Sequence, residues 1–377
     1  MESFLQNRPL RLSVVIPCYN EERTIQTCIE RLMVIGDRNL ELEVIFVDDC
    51  STDKSLSIAE AMTRKHPELV VIQHNRNLGK GAALKTGFEN VSGDIVAVQD
   101  ADLEYDPQDL KRLIQPILDD KADVVFGSRF ATAGAYRVLY YWHSLGNKFL
   151  TQLSNMFSDL NLTDMECCYK VFRREVIQDI QIEERRFGVE PELVAKVAQQ
   201  RVRIFEMGVS YAGRTYEEGK KIGFRDGLRA FYCIFHYNAP KTPLPLQFII
   251  YSVIGGLSAV LNVIVFLALH LSGLTTFVSI PLAFIVAALF NYFLCIHFLF
   301  RHKARWSSLS EVIVYILVVC GVATIDFSTT MALLTLDFYP WLAKSTACIV
   351  GLIFNFLGRK YFVFPEPSAG SWKVQVR

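Results

Sequence analysis

Hydrophobic and polar residues alternate in blocks along the first 130 positions of the chain. Short runs rich in Val and Ile, typical of buried strands, occupy 11–16, 42–47, 70–72, 94–98 and 123–126. After the first run, apolar residues recur at helical spacing, namely Ile25, Ile29, Leu32 and Ile35. Strands that alternate with helices in this way predict an α/β domain with a mainly parallel sheet and helices on both faces.

Beyond residue 245 the pattern changes to four long apolar segments. Segments 246–269 and 277–300 contain no Asp, Glu, Lys or Arg, and each is long enough to span a bilayer. Segment 312–336 carries one charged residue, and segment 341–364 carries three. Together these segments predict an all-α membrane domain of four helices.

An internal repeat supports the fourth of these helices. Residues of similar type recur at an offset of 64 positions. The pairs are Tyr251 and Tyr315, Ala259 and Ala323, Asn262 and Asp326, Asn291 and Asn355, and Phe300 and Phe364. Two copies of a helical hairpin therefore predict four spans. Because polar groups in lipid are costly, Asn291 and Asn355 are expected to face the bundle interior.

The segment 224–237, between the two halves, mixes aromatic and aliphatic residues with two arginines and a histidine. This mixture predicts an amphipathic helix at a membrane surface, with a core-packed helix as the alternative. Three prolines within 240–245 end any helix there. We therefore expect a catalytic domain at 1–223, a juxtamembrane helix and linker at 224–245, a membrane domain at 246–365 and a tail at 366–377.

Composition and the first residues of the chain add three limits. The 39 basic and 39 acidic residues give a formal net charge of +0, so bulk charge does not indicate nucleic-acid binding. The nine cysteines are scattered over both halves without a Cys-x-x-Cys pair, which predicts reduced cytosolic thiols rather than a disulfide framework. The first residues lack a basic segment followed by an apolar one, so no cleavable signal is expected.

Loop charge predicts the orientation in the membrane. Arg301, Lys303 and Arg305 lie between the second and third apolar segments, whereas loops 272–276 and 337–339 carry no Lys or Arg. Basic loops stay on the cytosolic side. The catalytic domain and both termini are therefore expected in the cytosol.

Candidate chemistry begins where the fourth strand ends. Asp100, Asp102 and Glu104 follow it at two-residue spacing, so their side chains share one side if the chain is still extended. Three converging carboxylates repel one another unless a cation lies between them, and hard oxygen ligands favour Mg²⁺ or Mn²⁺. The alternative is an acidic turn before Asp106-Pro107.

Other polar residues share this edge of the predicted sheet. Pro17, Asp48 and Asp49 also lie at the carboxyl ends of strands. Ligands of open α/β sheets bind outside the carboxyl ends of the strands. This convergence favours the metal interpretation over an acidic turn.

Five short motifs carry a family resemblance. They are Pro-Cys-Tyr-Asn-Glu-Glu at 17–22, Val-Asp-Asp-Cys-Ser-Thr-Asp at 47–53, Gly-Lys-Gly at 79–81, Asp-Ala-Asp at 100–102 and Gly-Ser-Arg at 127–129. Over residues 10–235 the chain resembles glycosyltransferase family two, with its GT-A fold, and within it the dolichol-phosphate mannosyltransferase and polyprenyl-phosphate glycosyltransferase branch. The membrane half resembles the GtrA-like family in its general pattern.

The resemblance implies a nucleotide-sugar site and a metal site. The nucleotide-sugar residues it implies are Pro17, Tyr19, Glu21, Asp48, Asp49, Lys80 and Asp100. The implied metal ligands on the donor diphosphate are Asp100, Asp102 and Glu104, of which Asp102 is counted as catalytic. Many relatives carry Gln at the third position, so Glu104 is a departure that adds a negative charge.

The resemblance also implies an acceptor site. The phosphate-binding residues it implies are Arg129, His143, Asn147, Arg214 and Lys220, with Arg129, Arg214 and Asp164 assigned to catalysis. Each assignment has an alternative. Thr163 and Glu166 fit a helix capping box around Asp164, Arg214 suits a solvated loop, and His143 and Asn147 suit ordinary packing.

The expected function is transfer of one sugar from a nucleotide sugar, of the GDP-mannose or UDP-hexose type, to a polyprenyl phosphate such as dolichyl or undecaprenyl phosphate. Two alternatives stay open. One is transfer to another membrane lipid such as a diacylglycerol, and the other is translocation of a lipid-linked sugar. Whether the chain forms a homo-oligomer is left open as well.

Overall fold

The computed structural model describes residues 9–131, 138, 140–213, 223–239, 242–300 and 309–363. It divides into two compact units after Asn238. The first unit contains the α/β elements, and the second contains the long apolar helices. Each unit is described by itself below.

The first unit is built on a sheet that has seven strands in the described part of the chain. The strands are β1 (Leu10–Cys18), β2 (Leu40–Asp48), β3 (Leu69–Gln73), β4 (Ile95–Val98), β5 (Val124–Ser128), β6 (Lys170–Arg173) and β7 (Ile204–Gly208). Their spatial order is β3-β2-β1-β4-β6-β5-β7. Only β6 runs antiparallel to its neighbours, β4 and β5. The predicted mainly parallel α/β sheet is confirmed.

Eight helices connect these strands in the described part of the chain, and a ninth follows the last strand. They are α1 (Ile25–Met33), α2 (Ser55–Thr63), α3 (Lys80–Glu89), α4 (Gln108–Leu113), α5 (Gln115–Leu118), α6 (Tyr141–Ser158), α7 (Arg174–Gln178), α8 (Val189–Gln200) and α9 (Phe224–Asn238). The apolar side of α1 is fully buried at Ile25, Ile29 and Leu32, as the helical spacing predicts. Burial of such stripes against the sheet forms the core.

The strand register gathers the acidic strand ends at one edge of the sheet. Cys18 of β1 lies beside Asp48 of β2, and Val15 of β1 lies beside Val98 of β4. The condition for a shared side, an extended chain through Asp100 and Asp102, is not met, because β4 ends at Val98 and the backbone bends from residue 101. Pairing explains this early end, since β6 reaches only Ile95 to Ala97 of β4.

Helix α9 belongs to the first unit rather than to a separate segment. Cys233 and Tyr237 on α9 form a buried cluster with Ala195 on α8, and Arg229 forms an ion pair with Glu184 at 2.7 Å. This side of α9 is core-packed, which was the alternative to a membrane-surface helix. Its other side exposes Leu228 and Phe231, so an apolar surface is also present.

The second unit contains four helices in its described part. They are α10 (Leu244–Leu271), α11 (Thr276–Leu294), α12 (Leu309–Thr335) and α13 (Pro340–Gly358). π-helical segments begin at Cys295 and Arg359, directly after α11 and α13. Both segments and the helices before them recur at an offset of 64 residues, as expected for two copies of a hairpin.

Arg359 lies where the two hairpin copies meet. It is 5% exposed, and its guanidinium donates hydrogen bonds to the amide oxygens of Asn291 and Asn355 and to the Tyr315 hydroxyl. It also lies over the ring of Tyr251 at 5.7 Å. The four partners are two of the predicted repeat pairs. Asn291 and Asn355 therefore point into the bundle interior, as predicted.

Two helices of the second unit are long and apolar enough to cross a bilayer, among the residues that the structure describes. They are Leu244–Leu269 and Ile313–Leu333. A core helix of a soluble protein would pass the same test, but only 11% of the first span and 0% of the second are buried. The predicted count of four spans stays a prediction.

Candidate functional site

The ends of β1 and β2 are tied together by short polar contacts. The Ser51 hydroxyl accepts from Asn20 N–H at 3.0 Å, and the Asn20 amide oxygen accepts from Thr52 N–H at 2.8 Å. Asp48 is fully buried, and its Oδ2 accepts from Ser51 N–H at 3.0 Å. Its Oδ1 is buried without a hydrogen-bond partner. Buried polar atoms are normally satisfied, so this oxygen is suited to a ligand donor.

Three other predicted nucleotide residues lie at or directly after the end of β1, the strand that pairs with β2 and its Asp48. Tyr19 and Glu21 flank Asn20 immediately after β1, and the Tyr19 side chain is 38% exposed. Pro17 pairs with Val47 in the strand ladder. These positions agree with the expectation of a shared site, and their roles in nucleotide binding stay predictions.

Asp49 has a different environment. Its carboxylate accepts from the backbone N–H groups of Leu78 at 2.8 Å and Gly79 at 2.6 Å, and its Oδ1 lies 2.8 Å from His74 Nδ1. It thereby fixes the loop that begins α3. Gly79 adopts φ +96°, and a Cβ there would lie 2.3 Å from the Arg185 carbonyl oxygen, so a side chain is excluded.

Lys80, the first residue of α3, bridges two acidic elements. Its Nζ lies 2.9 Å from Asp100 Oδ1 and 2.8 Å from Glu190 Oε1. Burial would raise the pKa of Asp100, but the Lys80 ammonium holds it below its ordinary value. Lys80 therefore positions the Asp100 carboxylate. Glu190 has no distinctive signal in the sequence, because glutamate is common in the first turn of a helix, where it interacts favourably with the helix dipole.

The remaining acidic residues after β4 are held separately. Asp102 Oδ1 accepts from Glu104 N–H at 3.1 Å, and Glu104 Oε2 accepts from the Tyr211 hydroxyl at 2.9 Å. Within the described ranges, no group of three metal-ligating side chains is gathered. Asp100 and Asp102 match the number of carboxylates, one or two, that Mg²⁺ typically takes before substrate phosphates and water complete its shell, and their ligation of a metal stays a prediction. Direct ligation by Glu104 stays a prediction.

Arg129, directly after β5, is held by a buried carboxylate. Its Nε and Nη2 donate to Asp164 at 2.6 and 2.7 Å, and its Nη2 donates to the Asn147 amide oxygen at 3.2 Å. The Arg129 and Asp164 side chains are 9% and 0% exposed. Burial would raise the pKa of Asp164, but hydrogen bonds from Arg129 lower it. A bidentate contact of this kind fixes the plane of the guanidinium.

The capping-box alternative for Asp164 is wrong. No helix begins at 163–166, and the next helix, α7, starts at Arg174. Thr163 instead bonds to Ser128 and Glu206. Asp164 Oδ2 accepts a hydrogen bond from Arg129 N–H at 3.0 Å, and this contact ties the turn at 163–166 to the end of β5.

Tyr211 links the two parts of the site. Its hydroxyl contacts Glu104, and the Arg129 guanidinium lies 5.3 Å from the centre of its ring. The backbone of Ala212 donates to Glu104 O at 2.8 Å. The acidic segment after β4 and the buried cation after β5 are thus joined through one aromatic residue. Sequence reasoning missed Tyr211, since a lone tyrosine near a strand end carries no distinctive pattern.

The other predicted acceptor residues are placed only in part. His143 lies one helical turn before Asn147 on α6 and is half-buried. Asn147 is brought to Arg129, whereas a phosphate role for His143 stays a prediction. Arg214 and Lys220 lie outside the described residues.

Two family models match this chain. Residues 13–181 match the model described as Glycosyl transferase family 2. Residues 250–364 match the model described as GtrA/DPMS, transmembrane domain. The chain therefore carries a family 2 glycosyltransferase domain followed by a GtrA/DPMS transmembrane domain.

Curated relatives extend the comparison. An undecaprenyl-phosphate 4-deoxy-4-formamido-L-arabinose transferase of Aeromonas hydrophila is 29% identical over 266 residues, covering 70% of this chain and 78% of that protein. A dolichol-phosphate mannosyltransferase of Pyrococcus furiosus is 25% identical over 359 residues, covering 94% of this chain and 98% of that protein. Glucosyl-3-phosphoglycerate synthase of Mycobacterium tuberculosis, solved with Mn²⁺ and UDP, is 21% identical over 62% of this chain and 80% of that chain, with a TM-score of 0.48.

Proposed function

We propose that this chain, a glycosyl transferase family 2 domain joined to a GtrA/DPMS transmembrane domain, transfers one sugar from a nucleotide sugar to a polyprenyl phosphate. The observation that carries the proposal is the link between Glu104 and Arg129 through Tyr211. It brings an acidic segment suited to a donor diphosphate and its metal next to a buried cation suited to an acceptor phosphate.

The donor end of the proposed site is formed by Asp48, Asp100 and Asp102. A divalent ion held by Asp100 and Asp102 would supply positive charge to the diphosphate leaving group. The unpartnered Oδ1 of Asp48 suits a donor group on the nucleotide. Lys80 keeps Asp100 ionised and in place.

The acceptor end depends on positive charge rather than on a base. A phosphate monoester has its second pKa near 6, so it is largely dianionic at neutral pH. Asp164 is a poor base, since Arg129 lowers its pKa. The task of the site is to bring two anions together, and Arg129 is preorganised to offset their repulsion. Arg214 and Lys220 are proposed to add to this charge.

The reaction would be a single displacement. An acceptor phosphate oxygen forms a bond to the anomeric carbon as the bond from that carbon to the donor diphosphate breaks. The nucleoside diphosphate leaves, and the configuration at the anomeric carbon inverts. A membrane-bound acceptor accounts for fusion to a membrane domain, which we propose has four spans, with the catalytic unit and both termini in the cytosol.

The experiment is a screen of nucleotide sugars with the purified full-length chain in detergent. Release of nucleoside diphosphate is measured with polyprenyl phosphate, with diacylglycerol and without lipid. Release that requires polyprenyl phosphate supports the proposal. Release that requires diacylglycerol would overturn the acceptor, and absence of turnover with every donor would favour a protein that only binds or translocates lipid-linked sugar.

A further inference from the structure

A continuous set of buried charges runs from the donor end of the site toward the acceptor end. Lys80 joins Asp100 to Glu190, at 2.9 and 2.8 Å. Glu166 lies two residues after Asp164, the carboxylate that holds Arg129. Burial, and after it the Glu190 carboxylate, raise the pKa of Glu166 to about 8. Arg129 and Asp164 also act on Glu166 electrostatically. Glu190 is thus tied to the donor end through Lys80, and Glu166 is tied to the acceptor end through the chain segment that carries Asp164.

Two carboxylate oxygens in this set have no partner. Glu190 is 6% exposed, and its Oε2 is buried without a hydrogen bond. Oε1 of Glu166 is buried and unpartnered in the same way. Apart from these two, the carboxylate oxygen in this state within the described residues is Oδ1 of Asp48, at the proposed nucleotide site. Buried polar atoms in folded proteins are normally hydrogen-bonded, so these oxygens are suited to donors on a ligand.

The neighbouring cations are already committed to other partners. Lys80 is shared by Asp100 and Glu190, and Arg129 is held by Asp164. Lys170 is 2% exposed and donates to the carbonyl oxygens of Met165 and Cys167. What this part of the site offers a ligand is therefore unpartnered carboxyl oxygen, on the Glu190 carboxylate and on Glu166, which keeps its proton at neutral pH because its pKa is raised to about 8.

We propose that Glu166 and Glu190 hydrogen-bond the hydroxyl or amino groups of the transferred sugar, so that the site takes neutral or amino sugars and rejects sugars that carry a carboxylate. The inference rests on the proposed function, because a sugar passing from donor diphosphate to acceptor phosphate must lie between Asp100 and Arg129. Sugar hydroxyls donate to carboxyl oxygens, whereas a uronate placed there would meet the like charge of Glu190 in a buried site.

The test uses matched donors that differ only in oxidation at one carbon. UDP-glucose is compared with UDP-glucuronate, and GDP-mannose with GDP-mannuronate, by displacement of the labelled nucleoside diphosphate from the full-length chain. We expect the neutral member of the preferred pair to bind at least tenfold more tightly than the uronate. Equal affinity, or preference for the uronate, would overturn the inference.

Variants assign the effect to the two glutamates. Glu190→Gln is expected to lower kcat/KM for the neutral donor by about 10- to 100-fold, the scale of one hydrogen bond to a charged group. Glu166→Gln is expected to lower it by about 2- to 10-fold, the scale of one hydrogen bond between neutral groups. Glu166→Gln should leave the affinity for the free nucleoside diphosphate unchanged, which also verifies its folding. Glu190→Gln removes one partner of Lys80, which positions Asp100, so its effect is read beside that of Glu166→Gln. Glu60→Gln, on the exposed side of α2, is the matched control and should behave as wild type.

The outcomes separate this inference from the proposed function. If wild type transfers sugar to polyprenyl phosphate but both Gln variants keep full kcat/KM, the inference alone fails. If wild type transfers nothing, the proposed function fails, and the displacement assay still decides whether neutral sugars are preferred. If Glu190→Gln does not fold because Lys80 loses a partner, Glu166→Gln decides.

Discussion

The pair formed by Arg129 and Asp164 gives a prediction whose magnitude follows from the structure. Asp164→Asn keeps the shape of the side chain and removes its charge. Because the two side chains are 9% and 0% exposed, the variant leaves the guanidinium buried without a counter-charge. Removing one partner of a buried ion pair costs about 3–5 kcal/mol of the free energy of unfolding. We expect a loss on that scale at pH 7.

The loss should depend on pH with a definite sign. The pKa of Asp164 is lowered in the folded state, because Arg129 outweighs the effect of burial. A carboxylate with a lowered folded pKa contributes stability above its unfolded pKa, about 3.9, and loses that contribution as the pH falls through its folded value. The difference between wild type and Asp164→Asn should therefore be constant above about pH 5 and shrink below about pH 4.

The assay is a urea titration of the full-length chain in detergent, followed by pulse proteolysis and scored on the first unit alone. Scoring one unit matters because two units need not unfold together. Asp37→Asn is the control, since Asp37 pairs with Lys111 on the surface and its loss should not be measurable. Equal losses in the two variants, or a loss from Asp164→Asn that does not change with pH, would refute the argument.

The same variant also tests the role of Asp164 in transfer. If Asp164 positions Arg129, the turnover of Asp164→Asn should fall about 10²-fold, the scale for one misplaced electrostatic group, and the shape of the pH–rate profile should be kept. A general base would instead show its absence as a missing acid limb in that profile. Loss of the acid limb in the pH–rate profile of Asp164→Asn would show that Asp164 acts as the general base.

Three further predictions concern the metal, the second unit and the orientation. Asp102→Ala should abolish transfer with the fold intact, and full activity of the variant in excess chelator would remove the metal from the mechanism. Arg359→Gln should lower the free energy of unfolding of the second unit by about 2–3 kcal/mol, because hydrogen bonds from a charged group to both hairpin copies are lost. Lys360→Gln should lower it by less, and thermal unfolding in detergent measures both variants. Single cysteines at Leu274 and Phe338 should react with an impermeant label only from outside, and reaction of one at Ala304 from outside would contradict the orientation.

The fold was predictable where burial leaves a continuous apolar run. Strands β1 to β5 each carry such a run, and the sequence places all five. Strands β6 and β7 were missed because charged residues interrupt their apolar runs, Lys170 and Arg173 in β6 and Glu206 in β7. The Lys170 ammonium donates hydrogen bonds to backbone carbonyl oxygens in a turn, and the local sequence pattern does not predict this arrangement.

The site was predictable in its residue types more than in its contacts. Acids at strand ends correctly marked one edge of the sheet, since parallel strands end together. The contact of Arg129 with Asp164 spans 35 positions and depends on how β5 pairs with β6, which local spacing does not encode. The position of Glu190 depends likewise on the long-range contact with Lys80.

The central claim is that an acceptor phosphate attacks the anomeric carbon of a nucleotide sugar, and one measurement tests it most directly. The purified chain is incubated with polyprenyl phosphate and the donor that the nucleotide-release screen selects. The mass of the lipid product is measured by mass spectrometry, and the released nucleotide is identified. The account predicts a lipid heavier by one glycosyl residue, with a single phosphorus, and release of a nucleoside diphosphate. A lipid diphosphate formed with release of a nucleoside monophosphate would contradict it.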